Sequence, residues 1–146
     1  MLRDQYVYIV DDDEAVRDSL SALLESKGYA VTSFGSAPEF LETAGSLPDG
    51  CLIVDIRMPE VDGLELQQRL IQRSLGFPLI VITGHGDVPL AVRAMKAGAI
   101  DFIEKPFASQ AILDCLAAAF ARLATPAGQD PGRRRGRQQT GPPITA

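Results

Sequence analysis

Five short apolar runs, each followed by an amphipathic stretch, constrain the fold of this chain more than any other feature of its sequence. The runs are Tyr6–Val10, Ala30–Phe34, Cys51–Val54, Leu79–Ile82 and Asp101–Ile103. Most of them are rich in Val and Ile and too short for helices, so the pattern predicts strands. Their apolar character is continuous rather than alternating, which favours a parallel sheet that is covered on both faces.

The stretches between the apolar runs have the residue spacing of helices. After Asp13, apolar residues recur every three or four positions until Lys27-Gly28 provides a stop signal. Further helices are predicted from Ser36 to near Gly45, over Leu64–Arg73, over Val88–Ala97 and over Ser109–Leu123. Five strand–helix units predict an α/β fold, a five-stranded doubly wound parallel sheet with right-handed crossovers.

Charge and composition divide the chain after residue 124. Residues 1–124 contain 10 basic and 18 acidic residues, a formal charge of −8, whereas residues 125–146 contain four arginines and one acid, a charge of +3. The second stretch also holds eight Gly or Pro and only three apolar residues, too few to offset the entropy of ordering it. We therefore predict one domain over residues 1–124 and a disordered basic tail or linker over residues 125–146.

Composition also argues against several classes of protein. No apolar run approaches the roughly 20 residues of a membrane-spanning helix, and the first residues have no secretory signal pattern. Cys51 and Cys115 lie far apart with no cysteine or histidine at metal-ligand spacing. We therefore expect reduced thiols and a cytoplasmic protein without membrane contact. The acidic domain disfavours general binding to nucleic-acid phosphates.

The ends of the predicted strands carry residues that strand propensity does not explain. The first run leads into Asp11, Asp12 and Asp13, and the third leads into Asp55. The fourth run leads into Thr83, and Lys105 follows shortly after the fifth. In open α/β sheets, ligands bind at the carboxyl ends of the strands, so this topology collects the side chains at one edge.

Such a set of groups favours one kind of chemistry. Clustered carboxylates repel one another unless a cation joins them, and Mg²⁺ fits because it takes oxygen ligands and also binds phosphate oxygens. Asp55, facing the acid pair, is then the candidate nucleophile. Lys105 would add a positive charge, and the Thr83 hydroxyl would donate a hydrogen bond to a phosphoryl oxygen. The sequence therefore predicts a phosphorylatable aspartate.

Each of these residues also has an ordinary structural interpretation. Asp13 is best explained as the cap of the first helix. Asp11 and Asp12 could also cap that helix, and Asp55 could begin a turn before Pro59. Thr83 could be a strand terminus, and Lys105 could be a solvated loop cation. None of these interpretations explains why all of the residues meet at one edge of the sheet.

Six motifs stand at the ends of the predicted strands and helices. They are Ile9-Val-Asp-Asp12, Val54-Asp-Ile-Arg-Met-Pro59, Asp62-Gly63, Ile82-Thr-Gly-His-Gly-Asp-Val88, Ala94-Met-Lys-Ala-Gly-Ala99 and Asp101-Phe-Ile-Glu-Lys-Pro-Phe107. Together they resemble a response-regulator receiver domain of a bacterial two-component system, most closely its FixJ-like branch. The resemblance runs from about Tyr6 to Leu123 and implies a flavodoxin-like fold of five strand–helix units.

The resemblance implies a role for each site residue. Asp55 corresponds to the phosphoacceptor, and the metal site would contain Asp12, Asp55 and the Arg57 backbone carbonyl, with Asp11 acting mainly through a bound water. The phosphate-binding and switch positions correspond to Thr83, Phe102, Lys105 and Pro106. The Lys105–Pro106 peptide bond is expected to be cis, a minority state for bonds that precede proline.

The same resemblance implies a signalling function rather than an enzymatic one. Asp55 would accept a phosphoryl group from a sensor histidine kinase or a phosphotransfer protein, and Thr83 and Lys105 would move toward the new charge. Phe102 would follow Thr83, changing the face made by the fourth helix, fifth strand and fifth helix. In FixJ-like proteins that face typically supports a phosphorylation-dependent homodimer.

FixJ-like regulators usually continue into a helix-turn-helix domain, and the chain departs from them there. Nothing after Leu123 has apolar helical periodicity, so the sequence fits either a single-domain receiver or a chain cut in the linker. We expect no direct DNA binding by this chain. Two alternatives are a haloacid-dehalogenase-like phosphatase, which needs an Asp-x-Asp motif and a cap insertion, and a nucleic-acid binder that uses the basic tail.

Overall fold

The computed structural model describes residues 5–124, which form alternating strands and helices. The elements are β1 (Tyr6–Val10), α1 (Glu14–Ser26), β2 (Ala30–Phe34), α2 (Ala37–Thr43), a 3-10 turn (Ala44–Ser46), β3 (Gly50–Asp55), α3 (Gly63–Gln72), β4 (Leu79–Thr83), α4 (Val88–Lys96), β5 (Asp101–Glu104) and α5 (Ser109–Ala124). The predicted α/β fold is confirmed. The predicted tail over residues 125–146 lies outside the described residues.

The five strands form one parallel sheet in the order β2-β1-β3-β4-β5. Val10 at the end of β1 is in register with Val54 of β3, and Asp55 is in register with Ile82 of β4. From β1 the chain adds β2 on one side, and then adds β3, β4 and β5 on the other side. Doubly wound sheets bind ligands where the order changes side, which here is between β1 and β3. The carboxyl ends of these strands therefore meet beside a crevice.

Two hydrophobic layers cover the sheet, one on each face. Tyr8, Val10 and Val54 pack on one side with Phe40 of α2 and Leu66 of α3. The intervening positions of the same strands pack on the other side against α1 and α5: Val7, Ile9, Cys51, Ile53, Ile80 and Ile82. Because both faces are buried, apolar side chains of the central strands point to both sides of the sheet, which explains the continuous apolar runs.

Short polar side chains begin the first three helices by accepting hydrogen bonds from backbone N–H groups. The N–H of Ala15 donates to Asp13 Oδ1 at 2.9 Å, which confirms the predicted cap of the first helix. Ser36 and Asp62 cap α2 and α3 in the same way. None of the helices within residues 5–124 is long and apolar enough to cross a membrane.

Three strands extend one residue beyond their apolar runs, to Asp55, Thr83 and Glu104. Backbone hydrogen bonds continue past the last apolar residue, because the N–H of Lys105 donates to the Thr83 carbonyl at 2.8 Å. Similarly, the N–H of Ile56 donates to the Ile82 carbonyl at 2.9 Å. Asp55 and Thr83 are therefore fixed by the sheet and do not sit in loops.

Gly63, the first residue of α3, lies against the end of β3. A Cβ atom added at this position would lie 2.8 Å from the Asp55 carbonyl oxygen and 2.9 Å from Ile56 Cα. Because both contacts are with backbone, Gly63→Ala is expected to lower the free energy of unfolding by about 1–3 kcal/mol. Chemical denaturation of the purified protein measures this value.

Gly45→Ala is the matched control, because a Cβ at Gly45 has open space around it. The control is expected to change the free energy of unfolding by less than about 1 kcal/mol. Equal stabilities for the two variants would contradict the close approach of α3 to β3.

Candidate functional site

Three carboxylates meet at the carboxyl ends of β1 and β3. Asp11, Asp12 and Asp55 each offer an oxygen within 4.8 Å of the others. Asp11 is 1% exposed and Asp55 is 8% exposed, whereas Asp12 is exposed. The sheet thus brings together the acid pair and the single aspartate that the sequence analysis singled out, on two neighbouring strands.

The Asp11 carboxylate is the most constrained of the three. Its pKa is raised to about 6, chiefly by burial and also by the neighbouring Asp55 carboxylate, while a hydrogen bond from the Asp13 N–H to Asp11 Oδ1 at 2.9 Å acts in the opposite direction. The other oxygen, Asp11 Oδ2, is buried and accepts no hydrogen bond. This oxygen is therefore available to a cation.

Lys105 places an ammonium group between the two buried carboxylates. Its Nζ lies 3.5 Å from Asp55 Oδ2 and 3.7 Å from Asp11 Oδ2. The Lys105–Pro106 peptide bond is cis, as predicted. With one ammonium facing two carboxylates, the cluster keeps an excess of negative charge that a further cation would reduce.

A turn after β3 fixes the orientation of the Asp55 carboxylate. The backbone N–H of Arg57 donates to Asp55 Oδ1 at 3.1 Å, so Oδ2 is the oxygen that faces Lys105. The Arg57 side chain binds a different residue, because its Nε donates to Asp87 Oδ1 at 2.8 Å. Asp87 is not among the site residues predicted from the sequence, because its position directly before α4 indicates only a helix cap.

Thr83 and Phe102 lie on the same face of the sheet. Thr83 is fully buried, and its Oγ1 has no hydrogen-bond partner. Phe102 of β5 is in register with Val81, which precedes Thr83 by two residues and so shares its face. Phe102 is half-buried against the same hydrophobic layer as Val81. Both residues of the predicted switch therefore lie on one face of neighbouring strands, one with an unused hydroxyl and one incompletely packed.

Comparisons with known proteins agree with this fold and show the family. Residues 7–117 match the response regulator receiver domain, and the chain belongs to this family of bacterial two-component signalling domains, which are not classical enzymes. The recognition of the family from its motifs is therefore confirmed, and the phosphatase alternative finds no support. The individual roles predicted for Asp11, Asp12, Asp55, Arg57, Thr83, Phe102, Lys105 and Pro106 stay predictions.

The chain is similar to FixJ-like transcriptional regulators. It is 48% identical over 124 residues to the transcriptional regulatory protein FixJ of Bradyrhizobium diazoefficiens, covering 85% of this chain and 60% of that protein. It is 49% identical over 114 residues to the response regulator protein TmoT of Ectopseudomonas mendocina, covering 78% of this chain and 52% of that protein. The chain thus spans between half and two thirds of these relatives.

Solved structures agree with the sequence relatives. The crystal structure of FixJ-N superimposes with a TM-score of 0.80 at 47% identity, covering 86% of this chain and all of that one. The response regulator StyR superimposes with a TM-score of 0.76 at 47% identity, covering 81% of this chain and 60% of that one. Both comparisons support the receiver fold.

The raised pKa of Asp11 predicts how stability depends on pH when divalent cations are removed with a chelator. Its pKa is about 6 in the folded protein against an ordinary value of 3.8, so stability is fully present below pH 3.8 and is lost as pH rises through about 6. Asp11→Asn is therefore expected to raise the free energy of unfolding at pH 7.5 by about 1–3 kcal/mol. It is also expected to flatten the decline between pH 4 and pH 7.

Denaturation curves of both proteins across this pH range make the measurement, with the exposed Asp18→Asn as the control for a change of one charge. The control should follow the wild-type profile. A wild-type and Asp11→Asn pair whose stabilities differ by the same amount at pH 4 and pH 7.5 would contradict the raised pKa.

Proposed function

We propose that this chain is the phosphoacceptor of a two-component relay, in which Asp55 takes a phosphoryl group from a phosphohistidine. The donor would be a sensor histidine kinase or a phosphotransfer protein. One observation carries the proposal: Asp55 lies beside both the acid pair and the Lys105 ammonium, with Nζ 3.5 Å from Asp55 Oδ2. A nucleophilic carboxylate needs both an opening for the phosphoryl group and a positive charge to stabilise it.

The residues at this edge fit a magnesium ion. Asp11 Oδ2 is buried and accepts no hydrogen bond, and the three carboxylates supply the oxygen ligands that Mg²⁺ prefers. Asp12, Asp55 and the backbone carbonyl of Arg57 would hold the ion, with Asp11 acting through a water. When bound, Mg²⁺ supplies positive charge that reduces the repulsion between a carboxylate and an incoming phosphoryl group.

The transfer itself would be performed by the side chains of this domain. An Asp55 carboxylate oxygen attacks phosphorus, a P–O bond forms, and the P–N bond to the donor histidine breaks with its electron pair returning to the imidazole nitrogen. Lys105 stabilises the negative charge on the phosphoryl oxygens. Later attack by water returns the carboxylate and inorganic phosphate. The domain thus catalyses its own phosphorylation and dephosphorylation without turning over an external substrate.

Phosphorylation would change the surface of the domain through Thr83 and Phe102. A phosphorylated side chain carries about −1.5 to −2 charges and three acceptor oxygens, and the unused Thr83 hydroxyl is a suitable donor. Movement of Thr83 would leave space for Phe102 to pack more deeply. The affected face consists of α4, β5 and α5, on which Val88 and Val92 are 38% and 42% exposed, and it would bind a partner or a second copy.

The output of the pathway belongs to the proposal as well. FixJ-like relatives are transcriptional regulators, but we assign no DNA contact to residues 5–124, which carry nine basic and 17 acidic residues. We propose residues 1–124 as the receiver domain and residues 125–146 as a basic tail or linker. A cytoplasmic location follows from the proposal, because the donor phosphohistidine and Mg²⁺ are available there.

Asp55→Asn is expected to abolish phosphorylation, because an amide oxygen is a poor nucleophile compared with a carboxylate. Wild-type protein incubated with acetyl phosphate or phosphoramidate and Mg²⁺ should gain the mass of one phosphoryl group, and the gain should vanish with chelator. Intact-protein mass spectrometry measures both results.

Asp62→Asn is the matched control, because it makes the same change at the cap of α3 and keeps a residue that caps well. This variant should be labelled like the wild-type protein. A wild-type protein that gains no phosphoryl group, or an Asp55→Asn variant that gains one, would exclude the proposal.

Thr83→Val is expected to abolish the proposed switch without lowering the stability of the domain. The Thr83 hydroxyl has no partner in the unphosphorylated protein, so replacing it with a methyl group should leave the free energy of unfolding unchanged or raise it by about 1 kcal/mol. In the wild-type protein, phosphorylation should change the NMR resonances of the Phe102 ring. In Thr83→Val, phosphorylation should leave these resonances unchanged. Thr83→Ser keeps the hydroxyl and should keep that change, whereas a normal Phe102 response in Thr83→Val would contradict the switch.

A further inference from the structure

A side chain of α1 reaches back to the acid pair. Arg17 Nη1 donates to the backbone carbonyl of Asp11 at 2.7 Å, six positions earlier in the chain. Side chains of a helix lean toward its N-terminus, so a residue near the start of α1 can contact the loop that precedes the helix. Arg17 is half-buried and takes no part in the proposed phosphoryl transfer. Its contact with the site therefore has a different role.

Three hydrogen bonds from three parts of the chain fix Asp11. Its N–H donates to the Phe34 carbonyl at the end of β2 at 3.2 Å, and its Oδ1 accepts from the Asp13 N–H at 2.9 Å. Its carbonyl accepts from Arg17. Of these three bonds, only the bond to the carbonyl is made by the side chain of another residue, so a substitution at Arg17 removes it alone.

The carbonyl that Arg17 holds belongs to the peptide unit between Asp11 and Asp12. Because a peptide unit is planar, a fixed carbonyl also fixes the direction of the Asp12 N–H and the position of the Asp12 Cα. Asp11 is buried, so packing restricts its side chain, whereas Asp12 is exposed. The orientation of Asp12 toward Asp11 and Asp55 therefore depends on its backbone more than on packing.

The Arg17 guanidinium also lies against the loop that follows β2. A Cβ atom added at Gly35 would lie 3.5 Å from Arg17 Nη1 and 3.8 Å from Arg17 Cζ. Glu39 Oε1, which accepts from the Gly35 N–H at 3.0 Å, would lie 3.7 Å from the same Cβ. Because the guanidinium has neighbours in this loop as well as at the end of β1, it has little freedom to turn away from the Asp11 carbonyl.

We propose that Arg17 is a positioning residue of the magnesium site, whose hydrogen bond holds the peptide between Asp11 and Asp12 in the orientation that presents both carboxylates to the ion. The proposal rests on the magnesium site of the proposed function and extends it to a cation, which cannot itself be a ligand. Partners of metal ligands orient those ligands before the ion binds, and their loss weakens metal binding by roughly 10- to 100-fold.

The hydrogen bond and the charge of Arg17 have opposite effects on Mg²⁺ binding. A guanidinium near two carboxylates offsets part of their charge and so disfavours a second cation. The fixed carbonyl favours the ion, because less order has to be imposed on Asp12 when it binds. Since Arg17 is half-buried, water weakens the effect of its charge, whereas its bond to Asp11 is short. The hydrogen bond is therefore the larger effect.

Mg²⁺ titrations of the unphosphorylated protein test the proposal, with the backbone amide NMR signals of Asp12 and Asp13 as the readout. Arg17→Met removes the donor and keeps an apolar stem of similar length, so the dissociation constant for Mg²⁺ should rise roughly tenfold. Arg17→Lys keeps a donor and the positive charge, and it should restore most of the lost affinity.

Arg73→Met is the matched control. Arg73 follows α3 directly, and its Nη1 donates to the backbone carbonyl of Leu41 at 3.0 Å, the same kind of bond at the opposite edge of the sheet. Arg73→Met should lower the free energy of unfolding by an amount similar to Arg17→Met and leave the dissociation constant for Mg²⁺ unchanged. A merely structural role for Arg17 would give the two variants equal affinities for Mg²⁺.

The rate of labelling by acetyl phosphate provides a second readout. At limiting Mg²⁺, Arg17→Met should be labelled more slowly than the wild-type protein, because less of it holds the ion. At saturating Mg²⁺ the two rates should be equal, because Arg17 acts on metal binding and not on the transfer. A deficit that persists at saturating Mg²⁺ would contradict a role limited to positioning.

Two results of the titrations would overturn the proposal. One is an Arg17→Met variant that binds Mg²⁺ as tightly as the wild-type protein or more tightly, and the other is equal weakening in Arg17→Met and Arg73→Met. Because Mg²⁺ binding is measured without a phosphoryl donor, either result leaves the phosphoacceptor function of Asp55 intact. If Arg17→Met does not fold, Arg17→Gln takes its place, because a half-buried position accepts an uncharged polar side chain, and it should show the same weakening.

Discussion

The repulsion between Asp11 and Asp55 is the interaction on which the rest of the site depends. The register of β1 and β3 places these two buried carboxylates side by side, and burial raises the pKa of Asp11 to about 6. Lys105 offsets only part of this unfavourable charge. Two acids held this close, out of water, favour the binding of a cation, because its charge reduces their repulsion.

Most of the fold and the location of the site could be predicted from the sequence, because residues that follow the strands of a parallel sheet all lie at the same edge of that sheet. Asp55, Thr83 and Lys105 follow three successive apolar runs, so topology alone brings them to one edge. The sequence could not distinguish Asp11, which is buried, from Asp12, which is exposed. Two adjacent identical residues after a strand point to opposite sides, and only the packing of the helices decides which side is covered.

Other features depend on contacts that no local pattern encodes. The Arg57–Asp87 pair joins two loops 30 positions apart, and each residue has an ordinary local interpretation, as a turn residue or as a helix cap. Phe102 is similar, because its half-buried state follows from the position of β5 at the edge of the sheet. An edge strand is covered less completely than a central one, so an apolar run there predicts the strand but not its packing.

The close contact between Gly63 and the end of β3 leaves atoms around Asp55 less room to move on one side than on the other. On the α3 side of Asp55, backbone atoms of α3 and β3 are already in close contact, so this side has little room for movement. On the β4 and β5 side, the Thr83 hydroxyl has no hydrogen-bond partner and the Phe102 ring is only half-buried. This side therefore has more room for movement. If Asp55 is phosphorylated as proposed, we therefore expect atoms to be displaced on the β4 and β5 side of Asp55 and not on the α3 side.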